Sequence, residues 1–82
     1  MRDYNADDFK TFDLALAAAL VTAGFSIDRL EKTPFGKASF IFIKTETLDD
    51  AVNRYWADRF EVNPKTYFDA IKHIKTRIYS EA

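Results

Sequence analysis

The sequence predicts an α+β domain of order α-β-β-α-α, in which a two-stranded antiparallel hairpin is covered by three helices. Three observations lead there. Residues 14–21 form an alanine-rich run that is almost wholly apolar and is followed by Gly24. Residues 25–28 and 38–43 read with a period of two and flank a Thr33-Pro34-Phe35-Gly36 turn. Two later segments carry apolar residues at helical spacing, each behind a capping residue.

The elements follow in order. Residues 1–10 mix charged and small residues without a period, which predicts a loose N-terminal arm, with Tyr4 or Phe9 as its docking residue. A single domain then spans residues 11–80. Thr11 is the expected cap of the first helix, with Asp13 in its first turn. Leu14, Ala17, Ala18 and Val21 mark one stripe, broadened by Leu16, Ala19, Leu20 and Ala23. A helix apolar nearly all round belongs in the centre, covered on several sides. Gly24 is the natural residue just past its end.

The first strand is expected to begin with Phe25 and Ile27 alternating with Ser26 and Asp28. In the second strand Phe40 and Phe42 face one side, Ile41 and Ile43 the other, so both faces should be covered. Thr45 or Thr47 caps the second helix, whose stripe is Leu48, Ala51, Val52, Tyr55 and Trp56. Phe60 and Val62 then alternate toward the core. Asn63-Pro64 starts the third helix, with the asparagine as cap and the proline where its missing N–H costs nothing. Its apolar stripe is Tyr67, Phe68, Ile71, Ile74 and Ile78.

A chain of 82 residues buries a modest core. It has no cysteine, which excludes disulfides and thiolate metal sites and fits a reducing compartment. Eight Phe, four Tyr and one Trp are the expected source of packing. The polar N-terminus does not read as a signal peptide, and the longest apolar run is far shorter than the ~20 residues a membrane helix needs. With a net charge of −1 there is no global field for nucleic acid or an anionic membrane. The charge is uneven, however. Residues 46–61 hold Glu46, Asp49, Asp50, Asp58 and Glu61 against Arg54 and Arg59, a balance of −3. Residues 65–77 hold Lys65, Lys72, Lys75 and Arg77 against Asp69, a balance of +3.

Several of these features recur together. Thr11-Phe12-Asp13-Leu14 opens an alanine-rich helix that Gly24 closes. Phe40-Ile41-Phe42 precedes an acidic turn, and Tyr55-Trp56, Val62-Asn63-Pro64 and a final Ile74-Lys75-Thr76-Arg77-Ile78-Tyr79-Ser80 follow. Over roughly residues 11–80 the chain resembles an uncharacterised family of small bacterial and bacteriophage proteins, catalogued as a domain of unknown function. The resemblance implies a bacterial or phage origin and a cytoplasmic setting. It carries over no catalytic or binding residue.

Nothing in the sequence assembles a catalytic set. His73 is the only histidine and lies one turn after Asp69, but Asp69 is also one turn from Lys65, and a solvated helix-face histidine is the preferred reading. The pairs Asp7-Asp8 and Asp49-Asp50 diverge, and Asp49 and Asp50 suit a helix N-terminus. The two glycines form no phosphate-binding loop. No enzyme, cofactor or metal site is expected. Contact with a partner is expected instead at Lys65, Lys72, His73, Lys75 and Arg77 on the third helix, with Phe35 in the hairpin turn. Two functions follow. One is a non-enzymatic accessory protein, phage-encoded, that binds an unknown protein partner. The other is a nucleic-acid-binding module that tracks phosphates with the basic helix and stacks bases on Phe35, Trp56 or Phe60. A homodimer paired through a hairpin edge, with Lys32 and Lys37 as the edge guards to overcome, is a further expected partner.

Overall fold

The computed structural model describes residues 8–80. Its elements are β1 (Asp8–Thr11), α1 (Leu14–Thr22), β2 (Ile27–Lys32), β3 (Ala38–Ile43), α2 (Glu46–Trp56) and α3 (Pro64–Ser80). The class is α+β with three helices, but the sheet is three-stranded and antiparallel, in the order β1-β3-β2, not a two-stranded hairpin. The additional strand comes from residues assigned above to the loose arm. Asp8, Phe9, Lys10 and Thr11 alternate polar with less polar residues and pair with Ile43, Phe42, Ile41 and Phe40. Residues 1–7 of the expected arm, including Tyr4, lie outside the described residues. β3 is therefore central, and the outer edges of the sheet belong to β1 and β2.

Alternation assigns the two faces. Phe9 of β1, Phe40 and Phe42 of β3, and Ile27 and Leu30 of β2 join one core cluster with residues of all three helices. Ile27 and Leu30 are three residues apart, so a regular strand would send them to opposite faces. A bulge prevents this. Ile27 opposes Phe42 and Arg29 opposes Ile41, adjacent positions on β3, and Asp28 is the extra residue. The other face carries Lys10, Ile41, Arg29 and Glu31, with Ile43 half exposed at its end. Ile41 is almost fully buried there but lies outside the helix-packed cluster. Its cover is a lattice of charged side chains rather than the second layer that its apolar neighbours predicted. Lys10 pairs with Glu31 at 3.3 Å, and Arg29 pairs with Asp28 at 2.7 Å, Asp8 at 2.8 Å and Glu31 at 3.7 Å.

The central position of α1 is as expected. Leu16, Ala17, Ala18, Ala19 and Leu20 are all buried. Five consecutive helical residues sweep more than a full turn, so no side of this segment faces water. Its cap is Asp13 rather than Thr11: the Asp13 carboxylate accepts from the N–H of Ala15 and Leu16 at 2.9 and 3.3 Å. Thr11 supports that cap, its Oγ1 accepting from the Asp13 N–H at 3.0 Å. Gly24 takes φ +108° just past the end. The Phe25 N–H donates to Leu20 O and the Gly24 N–H to Val21 O, both at 3.0 Å, a Schellman closure that places Phe25 back against the core. Phe25 belongs to this closure and the strand starts at Ile27.

Thr45 caps α2, its Oγ1 accepting from Leu48 N–H at 3.1 Å. Asn63 caps α3 through Oδ1, which accepts from Lys65 and Thr66 N–H at 3.0 and 3.1 Å, and Pro64 stands at the first helical position. Two stripe residues disagree with the helical pattern. Trp56 is 63% exposed and Phe68 66% exposed, while Ala70, absent from the expected stripe, is buried. Each of the two aromatics sits at the margin of its apolar arc, where spacing gives a direction but not whether another element reaches that far.

Candidate functional site

On α3 the expected contact residues divide between two sides. Lys65, Phe68, Lys72, Lys75 and Tyr79 recur every three or four residues and so form one stripe along the outside of the helix. All five are exposed, Tyr79 at 74%. His73 and Arg77 lie round the helix from that stripe. They line a groove of about 790 Å³ floored by Val21, Phe25, Ile27, Ala70 and Ile74. Arg77 is half-buried there and His73 exposed. Asp69 pairs with Lys65 at 3.1 Å, the neighbour that competes with His73 for it. Phe35 is 93% exposed at the hairpin tip. The groove touches β2 at Ile27, the opposite end of a six-residue strand roughly 20 Å long, so Phe35 is not brought to the α3 residues.

A different convergence forms where α2 ends. Tyr55, Trp56, Asp58 and Phe60 line a hollow of about 470 Å³. The Tyr55 and Trp56 rings meet at 85° with centroids 5.0 Å apart, and the Tyr55 and Phe60 rings at 69° and 6.3 Å. Backbone geometry fixes this arrangement. The Asp58 N–H donates to Tyr55 O at 3.1 Å and the Arg59 N–H to Arg54 O at 2.8 Å, a second Schellman closure. Asp58 holds φ +65° in it, the left-handed position that glycine usually takes. The reversal brings Phe60 back over Tyr55. Burial, helped by the nearby Asp13 charge, pushes the Tyr55 hydroxyl's pKa above its ordinary value. Tyr55 therefore presents a neutral ring. On Phe60, the Arg54 guanidinium sits 5.6 Å from the ring centroid, and Arg54 is not among the walls of the hollow.

Comparison with known proteins adds one finding. The domain of unknown function DUF5659 matches residues 6–80. The chain belongs to the DUF5659 family. No curated protein and no solved structure matches it. The match reaches further toward the N-terminus than the resemblance read from the motifs, and takes in β1.

Several charged residues elsewhere on this DUF5659 domain pair with one another. The hydrogen bonds that Arg29 donates to Asp8 and then Asp28 push its pKa further above its ordinary value, so Arg29 is a permanent cation at the centre of the sheet lattice. On α2, Asp50 pairs with Arg54 at 3.4 Å. Phe12 is flanked by the Lys10 and Lys37 ammonium groups at 5.8 and 5.4 Å. Among the described residues no group of three His, Cys, Asp or Glu is placed to hold a metal ion, and no helix is long and apolar enough to cross a membrane. Sequence reasoning singled out Lys65, Lys72 and Lys75 of the α3 stripe, assigned Phe68 to the core and did not single out Tyr79. It missed the hollow because Trp56 was placed in the core; Phe60, expected to turn toward the core, does pack against it. The available signal was a Tyr-Trp pair in a helix's last turn followed by an aspartate where a glycine would end the helix.

Proposed function

We propose that this DUF5659 domain is a non-enzymatic accessory protein, encoded by a bacteriophage or a bacterium, that acts in the cytoplasm by binding another protein. The observation that carries this is the outer stripe of α3. Phe68 and Tyr79 stand exposed three turns apart, with Lys72 and Lys75 between them and Lys65 beyond. Neither ring belongs to the core cluster. Exposed aromatics rimmed by cations are the composition of a protein-binding surface. The partner that fits is an acidic segment with apolar anchors spaced to meet the two rings. Affinity capture from a bacterial lysate with wild-type bait and a Phe68→Ser/Tyr79→Ser bait tests this. A protein retained by the first and lost by the second is expected. Nothing retained at micromolar bait, or the same proteins on both baits, refutes it.

The same stripe favours a second reading. Lysines interleaved with exposed rings suit single-stranded nucleic acid, whose phosphates meet the cations while bases stack. Labelled oligonucleotides titrated at low salt decide it: binding that is absent, or indifferent to Lys72→Glu with Lys75→Glu, removes this reading. Self-association is the remaining partner class. It would use an outer edge of β1 or β2, or set the acidic block of 46–61 against the basic block of 65–77, and sedimentation velocity reads it directly.

A further inference from the structure

Among the described residues Phe35 is the most exposed large apolar side chain, 93% exposed at the tip of the β2–β3 hairpin. The turn holds it there by itself. Thr33 N–H donates to Lys37 O at 2.8 Å, and Gly36 N–H to Thr33 O at 3.1 Å. The Thr33 Oγ1 accepts from Phe35 N–H at 3.3 Å and from Lys37 N–H at 3.2 Å. Pro34 has no N–H to satisfy. Every backbone donor from Thr33 to Lys37 is therefore bonded inside the turn, and the tip can leave water without stranding one. Residues 32–38 contain no acidic residue, and the exposed Lys32 and Lys37 stand on either side of the turn. The ion pairs of the sheet take in neither lysine. Lys37 reaches toward Phe12 instead, its ammonium 5.4 Å from a ring that is 50% exposed, with the Lys10 ammonium 5.8 Å from the same ring. Phe12 follows Thr11, which opposes Phe40 near the turn end of β3, so a second ring and a third cation stand behind the tip.

We propose that the hairpin tip is a membrane contact, in which Phe35 enters the interface of an anionic bilayer while Lys32 and Lys37 meet the lipid phosphates. An apolar ring set between cations is complementary to a surface that is apolar inside and negative at its rim. Lipid also offers the backbone no hydrogen bonds, and the donors of this tip need none. A protein groove reads a loop partly through its main-chain donors, and here all of them are already taken, which favours lipid over a protein pocket. One ring and two lysines make a weak, reversible contact, with half-binding at roughly 10–100 mM lipid. The tip is remote from the α3 stripe and stands or falls independently of it.

The full chain, labelled with nitrogen-15, is titrated with isotropic bicelles of phosphatidylcholine alone or of equal parts phosphatidylcholine and phosphatidylglycerol, at constant ionic strength. Amide shifts that centre on residues 33–37 and grow with the anionic bicelles far more than with the neutral ones are expected. Phe35→Ser should weaken the binding by about tenfold to thirtyfold. Lys32→Gln with Lys37→Gln should weaken it by a similar factor, about tenfold to thirtyfold, and added salt should weaken the wild type. All three positions are exposed, and far-UV circular dichroism confirms that the variants fold. Phe68→Ser with Tyr79→Ser, which removes the rings of the α3 stripe, should leave the tip shifts in place. A nitroxide on the lipid acyl chain should broaden the Phe35 ring protons, which separates insertion from adsorption by charge alone. The proposal is overturned if about 100 mM anionic bicelle lipid moves no tip amide. It is equally overturned if Phe35→Ser binds like the wild type, if the acyl-chain nitroxide leaves Phe35 sharp, or if the shifts centre on α3 and vanish with its two rings.

Discussion

Deleting one residue from a β-strand normally inverts every side chain on one side of the cut. Deleting Asp28 should not. In β2, Ile27 and Arg29 oppose the adjacent residues Phe42 and Ile41, so Asp28 occupies no rung of the ladder. Without it, Ile27, Arg29 and Leu30 keep their present partners in a regular strand, with Ile27 and Leu30 still on the core face. What is lost is the Arg29–Asp28 ion pair at 2.7 Å. Both side chains are substantially exposed, and such a pair contributes about 0.2–1 kcal/mol. Arg29 retains Asp8 at 2.8 Å. The expected cost is therefore about 1 kcal/mol or less. Deleting Ile41 in β3 is the contrast. It makes Phe40 and Phe42 neighbours, so one of two rings that are at most 2% exposed must turn to the solvent face. That forfeits about 2–3 kcal/mol of burial, and losing Ile41 itself adds a similar amount. A domain of this length has roughly 4–12 kcal/mol in total, so this deletion should leave little folded protein. Urea unfolding followed by far-UV circular dichroism measures both. An Asp28 deletion costing more than about 3 kcal/mol, or as much as the Ile41 deletion, would refute the bulge as the reason Ile27 faces the core.

Other outcomes follow from single contacts. Gly24→Ala should destabilise by about 1 kcal/mol in urea unfolding, because φ +108° disfavours a side chain while the added Cβ meets nothing within 4 Å; a much larger loss would contradict that open space. Trp56→Ser should change stability by no more than about 0.5 kcal/mol, whereas Leu48→Ala, at a fully buried site, should cost about 2–5 kcal/mol; similar losses for the two would restore Trp56 to the core. Tyr55 has a folded-state pKa raised mainly by burial, so its contribution is full below the ordinary value of 10.0 and is lost as pH rises from there toward the folded value. Urea midpoints taken at rising alkaline pH should fall more steeply for wild type than for Tyr55→Phe, and equal slopes would remove burial of Tyr55 as the cause.

Local chemistry was readable where a residue acts on its own neighbours. Gly24, Thr45, Asn63 and Pro64 have the roles their residue types dictate, because caps and helix ends are settled within four residues of chain. The enclosure of α1 was readable because no side of it offers polar groups to water. Strand β1 was not. Four residues, two of them charged, carry a period-two signal too short to stand out, and their place is decided by β3, some thirty residues away. The same limit hid the cover on Ile41. An apolar residue on the second face of a strand asks for cover, but sequence does not say that the stems of Lys10 and Arg29 can supply it. The exposure of Trp56 required the most distant information, since Tyr55 and Phe60 beside it pack against the core and Trp56 does not.

Both α1 and α2 end with the same pair of backbone bonds, and each needs a residue at positive φ. At α1 the residue is Gly24, the low-cost choice, and the chain returns Phe25 to the core. At α2 it is Asp58, which holds the left-handed conformation at a cost of about 1 kcal/mol relative to glycine. Nothing in the closure itself requires a carboxylate, for the bonds come from backbone atoms. A negative charge at a helix C-terminus is moreover on the wrong side of the helix dipole. Fold stability alone therefore favours glycine at position 58 on two counts.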